Sequence, residues 1–291
     1  MSIYEYQPAF VFFVVLASLL GLVFGSFLNC AAFRLVRGES FIKGRSHCPS
    51  CGHELGVLEL IPLLSWMFQR GKCKWCGSKV SIRYPLTEVS FAVLTVMCLL
   101  RFDLSFLCLR YFLFLCCLFV LTLTDLEDMI IPDGCLIVAA GAWVLTKPFL
   151  FGGWTDVLLS VLAGLVYGGG LLGISLLMDK IMERDTMGGG DIKLIAVVGL
   201  YLGFVGTLFC VVLACLGGLL FYVLAKKKDE VSEAEDSRVK ESVAQNNRTE
   251  DNETEDGKAF PFGPFIAASA AFMLLFGQPL VSWYLGLLGL V

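Results

Sequence analysis

Residues 9–33 read AFVFFVVLASLLGLVFGSFLNCAAF, 25 positions without one Asp, Glu, Lys or Arg. About 20 apolar residues in a helix cross the hydrocarbon core of a bilayer, so this stretch is a membrane span. It is too long for the apolar part of a secretory signal. Met1 to Pro8 hold Glu5 and no Lys or Arg, whereas a signal starts with positive charge, and no cleavage is expected. Working outward, further apolar runs lie at about 86–100, 104–124, 134–151, 155–178, 192–204, 206–225 and 260–283. The whole chain of 291 residues is 57% hydrophobic and 16% charged, with a mean hydropathy of +0.78. A soluble domain is about 25% charged, and a soluble core could not bury this much apolar surface. A soluble enzyme is excluded. The expectation is an all-α polytopic membrane protein of about eight transmembrane helices with one small polar module.

That module occupies 34–85, between a first span at 1–33 and a membrane core at 86–225; a polar loop at 226–259 and a last span at 260–291 complete the division. With eight spans, the loops at 34–85, 125–133, 179–191 and 226–259 share one side. Counting Lys193 with them, they hold 19 of the 22 Lys and Arg residues. Basic loops stay in the cytoplasm, so this side is read as cytoplasmic and both termini as outward. The net charge of −4 is local: residues 225–259 carry 7 basic and 11 acidic residues, and the remainder is balanced. Nothing in it points to nucleic acid. The 226–259 loop has too little apolar area to offset ordering entropy and is expected to be disordered.

Of twelve cysteines, four form two C-x-x-C pairs, Cys48/Cys51 and Cys73/Cys76, separated by 21 residues. Each Cys-x-x-Cys-Gly turn presents two thiolates to one ion. Two turns make a closed, tetrahedral, structural zinc site, a chemistry suited to a reducing compartment; redox dithiols or an iron–sulfur site are the alternatives. His47 and His53 flank the first pair, and a four-cysteine set needs neither. The other eight cysteines lie in or beside apolar runs and read as small buried hydrophobes. The module is basic, with 9 Lys and Arg against 3 acids over 34–85, which suits anionic headgroups or an anionic ligand.

Ionisable residues at a span's edge are costly and mark functional candidates. Two clusters qualify: Thr124-Asp125-Leu126-Glu127-Asp128-Met129-Ile130-Ile131-Pro132-Asp133, and Gly188-Gly189-Gly190-Asp191-Ile192-Lys193. Topology puts both at the same face, although 66 residues separate Asp125 from Asp191. Two facing carboxylates share a proton. One then activates water while the other protonates the peptide, the chemistry of aspartyl hydrolysis. Three glycines let the backbone pass close to a neighbour. Asp133, after Pro132, reads as a helix N-cap, and Glu127 and Asp128 as solvated loop acids. Cation-coupled transport is the rival from another class; it favours acids mid-span on opposed half-helices, and here they lie at span ends.

In order along the chain, these residues resemble the type IV prepilin peptidases, bifunctional membrane enzymes of the GxGD aspartyl protease class. The resemblance rests on Gly25-Ser26-Phe27-Leu28-Asn29 with Arg34-Leu35, and on Arg45-Ser46-His47-Cys48-Pro49-Ser50-Cys51. It continues through Ile61-Pro62-Leu63-Leu64-Ser65-Trp66, Arg70-Gly71-Lys72-Cys73 and Arg83-Tyr84-Pro85-Leu86-Thr87-Glu88. Asp125 with Pro132-Asp133, Gly188 to Lys193, and Pro261-Phe262-Gly263-Pro264-Phe265 complete it. It implies Asp125 and Asp191 as catalytic aspartates of an enzyme in the bacterial cytoplasmic (inner) membrane, with its active site facing the cytoplasm. It implies type IV prepilin or pseudopilin substrates of a pilus or type II secretion system. Their leader would be cut after a Gly, and the new N-terminal residue methylated from S-adenosylmethionine. Gly71 lies in the turn that the resemblance associates with methyl transfer. Leu60 stands where the family usually has Asn, and Val36 where Pro often follows Arg-Leu, so a peptidase that no longer methylates is an alternative. The basic leader of such substrates suits the acidic 125–133 loop, with Glu127 and Asp128 as contacts.

Overall fold

A computed structural model describes residues 7–40, 44–150, 153–183, 187–241, 261–287 and 289; the side chains of 148–150 and 228–241 lie outside that description. Among these residues the chain is helical and has no strand, only two isolated bridges in the cysteine module. The helices are α1 (Gln7–Val36), α2 (Leu64–Phe68), α3 (Arg83–Phe102), α4 (Phe106–Asp128), α5 (Asp133–Leu150), α6 (Trp154–Met182), α7 (Gly189–Glu241), α8 (Gly263–Phe276) and α9 (Gln278–Leu287). A short 3₁₀ turn at Val57–Leu60 precedes α2.

Local chemistry sets the ends that matter. Ser105 caps α4, accepting the Cys108 N–H at 3.2 Å. At the other end Met129 takes a left-handed conformation (φ 54) and returns its N–H to the Asp125 carbonyl, and Pro132 follows before α5 begins. Asp125 therefore sits in the last turn of a span, not in a loop.

Lipid gives little hydrophobic drive between helices, so close backbone packing at small residues takes its place. α1 and α3 run antiparallel: a Cβ on Gly21 would lie 2.5 Å from the Ala92 Cα, and one on Gly25 2.9 Å from the Glu88 Cα. α6 and α7 are interlocked the same way, with Gly199 2.7 Å from the Gly164 Cα by the same construction. Outward, α1 and α6 expose large apolar residues such as Phe12, Leu19, Leu158 and Leu165, as lipid-facing helices do.

Among the described residues, five helices (α1, α3, α4, α6 and α7) are long and apolar enough to cross a membrane, and a sixth arises if α8 and α9, bent by 78°, make one span. Two of the eight expected runs are absent from that count. The run at 134–151 is α5, 18 residues long. The runs at 192–204 and 206–225 share α7, which is broken at Gly203 (φ 67, ψ −171), a conformation open to glycine. Neighbours show the direction on each side of the break. Gly190 packs on Ile131, close to the Gly263 end of α8, whereas Tyr201, Leu202 and Gly206 line a cavity with Met273 and Gly277 at its other end. Gly217 and Phe221 then lie against Phe265, back near the start of α8. The chain reverses at Gly203, and α7 makes two passes along the bundle. Its helix runs on to Glu241, through Lys226–Lys228 and a stretch in which Ala, Glu, Lys and Arg, good helix formers, alternate with Asp, Ser and Val. The part of the expected disordered loop from 242 to 259 lies outside the described residues.

Candidate active site

The C-terminal turn of α4, the loop to α5, the start of α7 and the start of α8 meet at one end of the bundle. Asp125 is 5% exposed, and its Oδ2 accepts the Gly263 N–H at 3.1 Å. Ile131 ties the two acid-bearing segments together: its side chain lies 2.7 Å from a Cβ position on Gly190 and 3.5 Å from one on Gly263. Only glycine at 190 lets the first turn of α7 approach Ile131 this closely. Asp191 opens α7, its N–H bonded to the Gly188 carbonyl at 3.1 Å. Asp191 and Asp125 are thus joined through Ile131, which meets Gly190 beside the one and Gly263, the amide donor of the other. Asp191 Oδ1 is buried and accepts no hydrogen bond among the described residues. Topology thus brings together two carboxylates that the sequence separates by 66 positions.

Around them the other acids are engaged. Asp133 begins α5, and its Oδ1 accepts Lys193 Nζ at 2.7 Å, so its charge reaches across to α7. Glu127 pairs with Arg83 at 2.9 Å, linking the end of α4 to the start of α3. Glu127 is exposed, as its sequence neighbourhood suggests, but it lies in the last turn of α4 rather than in a loop, and it is ion-paired. Asp128 is exposed.

The cysteine module is built from two like turns. Cys48 N–H donates to the His53 carbonyl and Gly52 N–H to the Cys48 carbonyl; Cys73 N–H to Ser78 and Gly77 N–H to Cys73 repeat the pattern. The four sulfur ligand atoms lie within 4.8 Å of one another, and the Cys48 and Cys76 Sγ atoms are 3.9 Å apart. Zinc–sulfur bonds of about 2.3 Å place tetrahedral thiolates roughly 3.8 Å apart, so the cluster fits such an ion. Backbone N–H groups of Cys51 and Ser50 bring the Cys48 thiol down to about 6, so it is largely thiolate at neutral pH. His47 and His53 stand outside the cluster, and the His53 ring packs on Trp75 at 4.2 Å. Gly71 has φ 66, and a Cβ there would lie 2.9 Å from Cζ2 of Trp66, whose Nε1 donates to the Val80 carbonyl at 3.1 Å. Gly71 is a packing position beneath an indole ring.

Gly263 and Glu88 gain a role only from the fold. Gly263, in the Pro-Phe-Gly-Pro-Phe stretch, supplies the amide on Asp125. Glu88, buried at 7% exposure, accepts the Leu63 N–H at 2.6 Å and fastens the module to α3. An acid five residues inside an apolar helix was the available signal for Glu88.

The profile described as "Bacterial Peptidase A24 N-terminal domain" matches residues 19–102, and that described as "Type IV leader peptidase family" matches residues 112–223. A Bacillus subtilis protein named prepilin leader peptidase/N-methyltransferase is 31% identical, covering 91% of this chain and 95% of its own length. A Pseudomonas putida protein of the same name is 29% identical over 97% of this chain and 96% of its own. A third, from Myxococcus xanthus, is 32% identical over 73% of this chain and 63% of its own. No solved structure gives a significant match.

Proposed function

The chain belongs to the type IV leader peptidase family, and from that premise we propose that it removes the leader of type IV prepilins or pseudopilins with Asp125 and Asp191 as the catalytic pair. The cut follows a Gly at the cytoplasmic face of the inner membrane, and the new N-terminal residue is then methylated. The observation that carries the reading is the meeting of Asp125 and Asp191 at one bundle end, the first pinned by the Gly263 amide and the second with a buried, unpartnered oxygen. One carboxylate takes a proton from water as it attacks the scissile carbonyl, and the other gives a proton to the departing amine. Asp191 Oδ1 is the acceptor left open for that water. With the eight crossings expected from the apolar runs, both aspartates would fall on the side that holds nearly all the Lys and Arg.

Cys48, Cys51, Cys73 and Cys76 would hold the zinc ion, which fixes the fold of the module. S-adenosylmethionine would supply the methyl group when bound; Gly71, covered by Trp66, is not assigned to it. The test is leader removal from a prepilin by membranes containing the enzyme. Asp125→Asn and Asp191→Asn should each abolish it while leaving the protein in the membrane, and full cleavage by either refutes the aspartyl assignment. The mass of the cleaved product, with and without S-adenosylmethionine, decides methylation separately.

A further inference from the structure

Residues Val57–Phe68 belong by sequence to the polar module, yet their place in the bundle is deep. Gly25 of α1 packs on the Glu88 backbone of α3, and the Glu88 carboxylate accepts the Leu63 N–H, so Leu63 lies within a glutamate side chain's reach of the level of Gly25. The apolar run of α1 continues from Gly25 to Phe33, eight residues that rise about 12 Å in a helix. Leu63 is held there with φ 60, a conformation a leucine adopts only where its surroundings enforce it. Either side of it the chain is apolar and uncovered: Val57 is 82% exposed and Phe68 84%, with Leu58, Leu60, Leu64 and Met67 also exposed. Between 57 and 68 the only charged side chain is Glu59. Its carboxylate is turned back on the module, accepting the Gly56 N–H at 2.8 Å and the Trp75 Nε1–H at 3.1 Å. Arg70, Lys72, Lys74 and Lys79 follow directly, the composition of a segment meeting anionic headgroups.

We propose that Val57–Phe68 is a re-entrant hydrophobic wedge seated in the lipid leaflet that borders the two aspartates, its apolar side chains among the acyl chains and the cysteine turns held above it. The occupant of this exposed face is lipid. The level of Leu63 against α1 and α3, the missing outward charge and the basic flank all select it over water or a protein partner. The inference rests on the membrane reading of the fold and not on the peptidase assignment.

The test uses the full chain reconstituted in phosphatidylcholine–phosphatidylglycerol vesicles, with the photoreactive residue p-benzoylphenylalanine in place of Leu58 or of Phe68. Leu19, exposed on α1, is the positive control, and Ser50, exposed in the first cysteine turn, the negative one. Phospholipid adducts, read by mass, are expected at Leu58 and Phe68 at a yield within about threefold of Leu19, with none at Ser50. Adducts at Leu19 alone overturn the wedge. As a second measurement, Phe68→Trp in vesicles of acyl-brominated lipid should show its added emission quenched; emission unaffected by bromine also overturns it. Leader removal is scored on the same preparations. Loss of cleavage with lipid adducts intact bears on the peptidase reading alone.

Discussion

Gly263→Ala isolates the contact that holds Asp125. Gly263 has an ordinary backbone conformation, so the added methyl brings no torsional strain and acts through space only. Its Cβ would fall 2.8 Å from Asp125 Oδ2 and 3.1 Å from Cγ, with Ile131 at 3.5 Å behind. Non-bonded contacts are optimal near 3.5–4.0 Å, so the carboxylate must retreat by roughly 0.5 Å or more. The Gly263 N–H bond, at 3.1 Å, then lengthens beyond useful range. A catalytic group misplaced by about 1 Å loses on the order of 10²-fold in rate. The loss expected here is about 10- to 100-fold in kcat for leader removal, with KM little changed. The assay is single-turnover cleavage of a prepilin in detergent, beside Gly173→Ala, where a Cβ meets nothing within 4 Å. Gly173→Ala should cleave at the parental rate. If Gly263→Ala does so too while remaining folded, the amide does not position Asp125 for catalysis.

Other consequences follow from the same contacts. Gly199→Ala drives a methyl to 2.7 Å from the Gly164 Cα and should destabilise the α6–α7 crossing by about 1–3 kcal/mol, read as a lower melting temperature of the purified protein. Lys193→Ala breaks an exposed ion pair with Asp133 worth about 0.2–1 kcal/mol, so the melting temperature should scarcely move. Cleavage should nonetheless fall severalfold and recover in the exchanged pair Asp133→Lys/Lys193→Asp, if the bridge sets α5 against α7. Gly71→Ala should loosen the Trp66–Val80 contact and speed chelator extraction of zinc, with leader removal retained. Cys48→Ser should lower bound zinc, and metal content unchanged from the parent would refute the four-thiolate site.

Much of this was legible in the sequence, for physical reasons. Apolar runs announce themselves, because a span leaves no room for charge over about 20 residues. The two Cys-x-x-Cys-Gly turns are local, so their geometry follows from spacing. The candidate aspartates were legible as expensive charges at span edges. What spacing could not supply was long-range contact. The reversal at Gly203 depends on how both halves of α7 pack on α8. Glu127 is exposed as expected, but nothing local reveals that Arg83, 44 positions earlier, pairs with it at 2.9 Å. At Gly71, spacing could not show that the Trp66 ring packs over the backbone.

The start of α8 shows how the fold meets the cost of a charge at that depth. The first amides of a helix have no partner inside it, and together they favour negative charge nearby. In α8, Pro264 has no amide to satisfy, and Phe265 returns its N–H to the Phe262 carbonyl at 3.1 Å. Gly263 is left as the donor at the tip, and Asp125 takes it. A side chain at 263 would occupy the space the carboxylate needs, and a proline there would remove the donor, so glycine followed by proline is the pair that leaves one open amide aimed at one acid. Asp191 receives no such donor on Oδ1. The two acids therefore differ by construction: Asp125 is fixed by the Gly263 amide, and Asp191 has one buried oxygen without a hydrogen bond among the described residues. In the proposed hydrolysis that open oxygen is where the attacking water would be held.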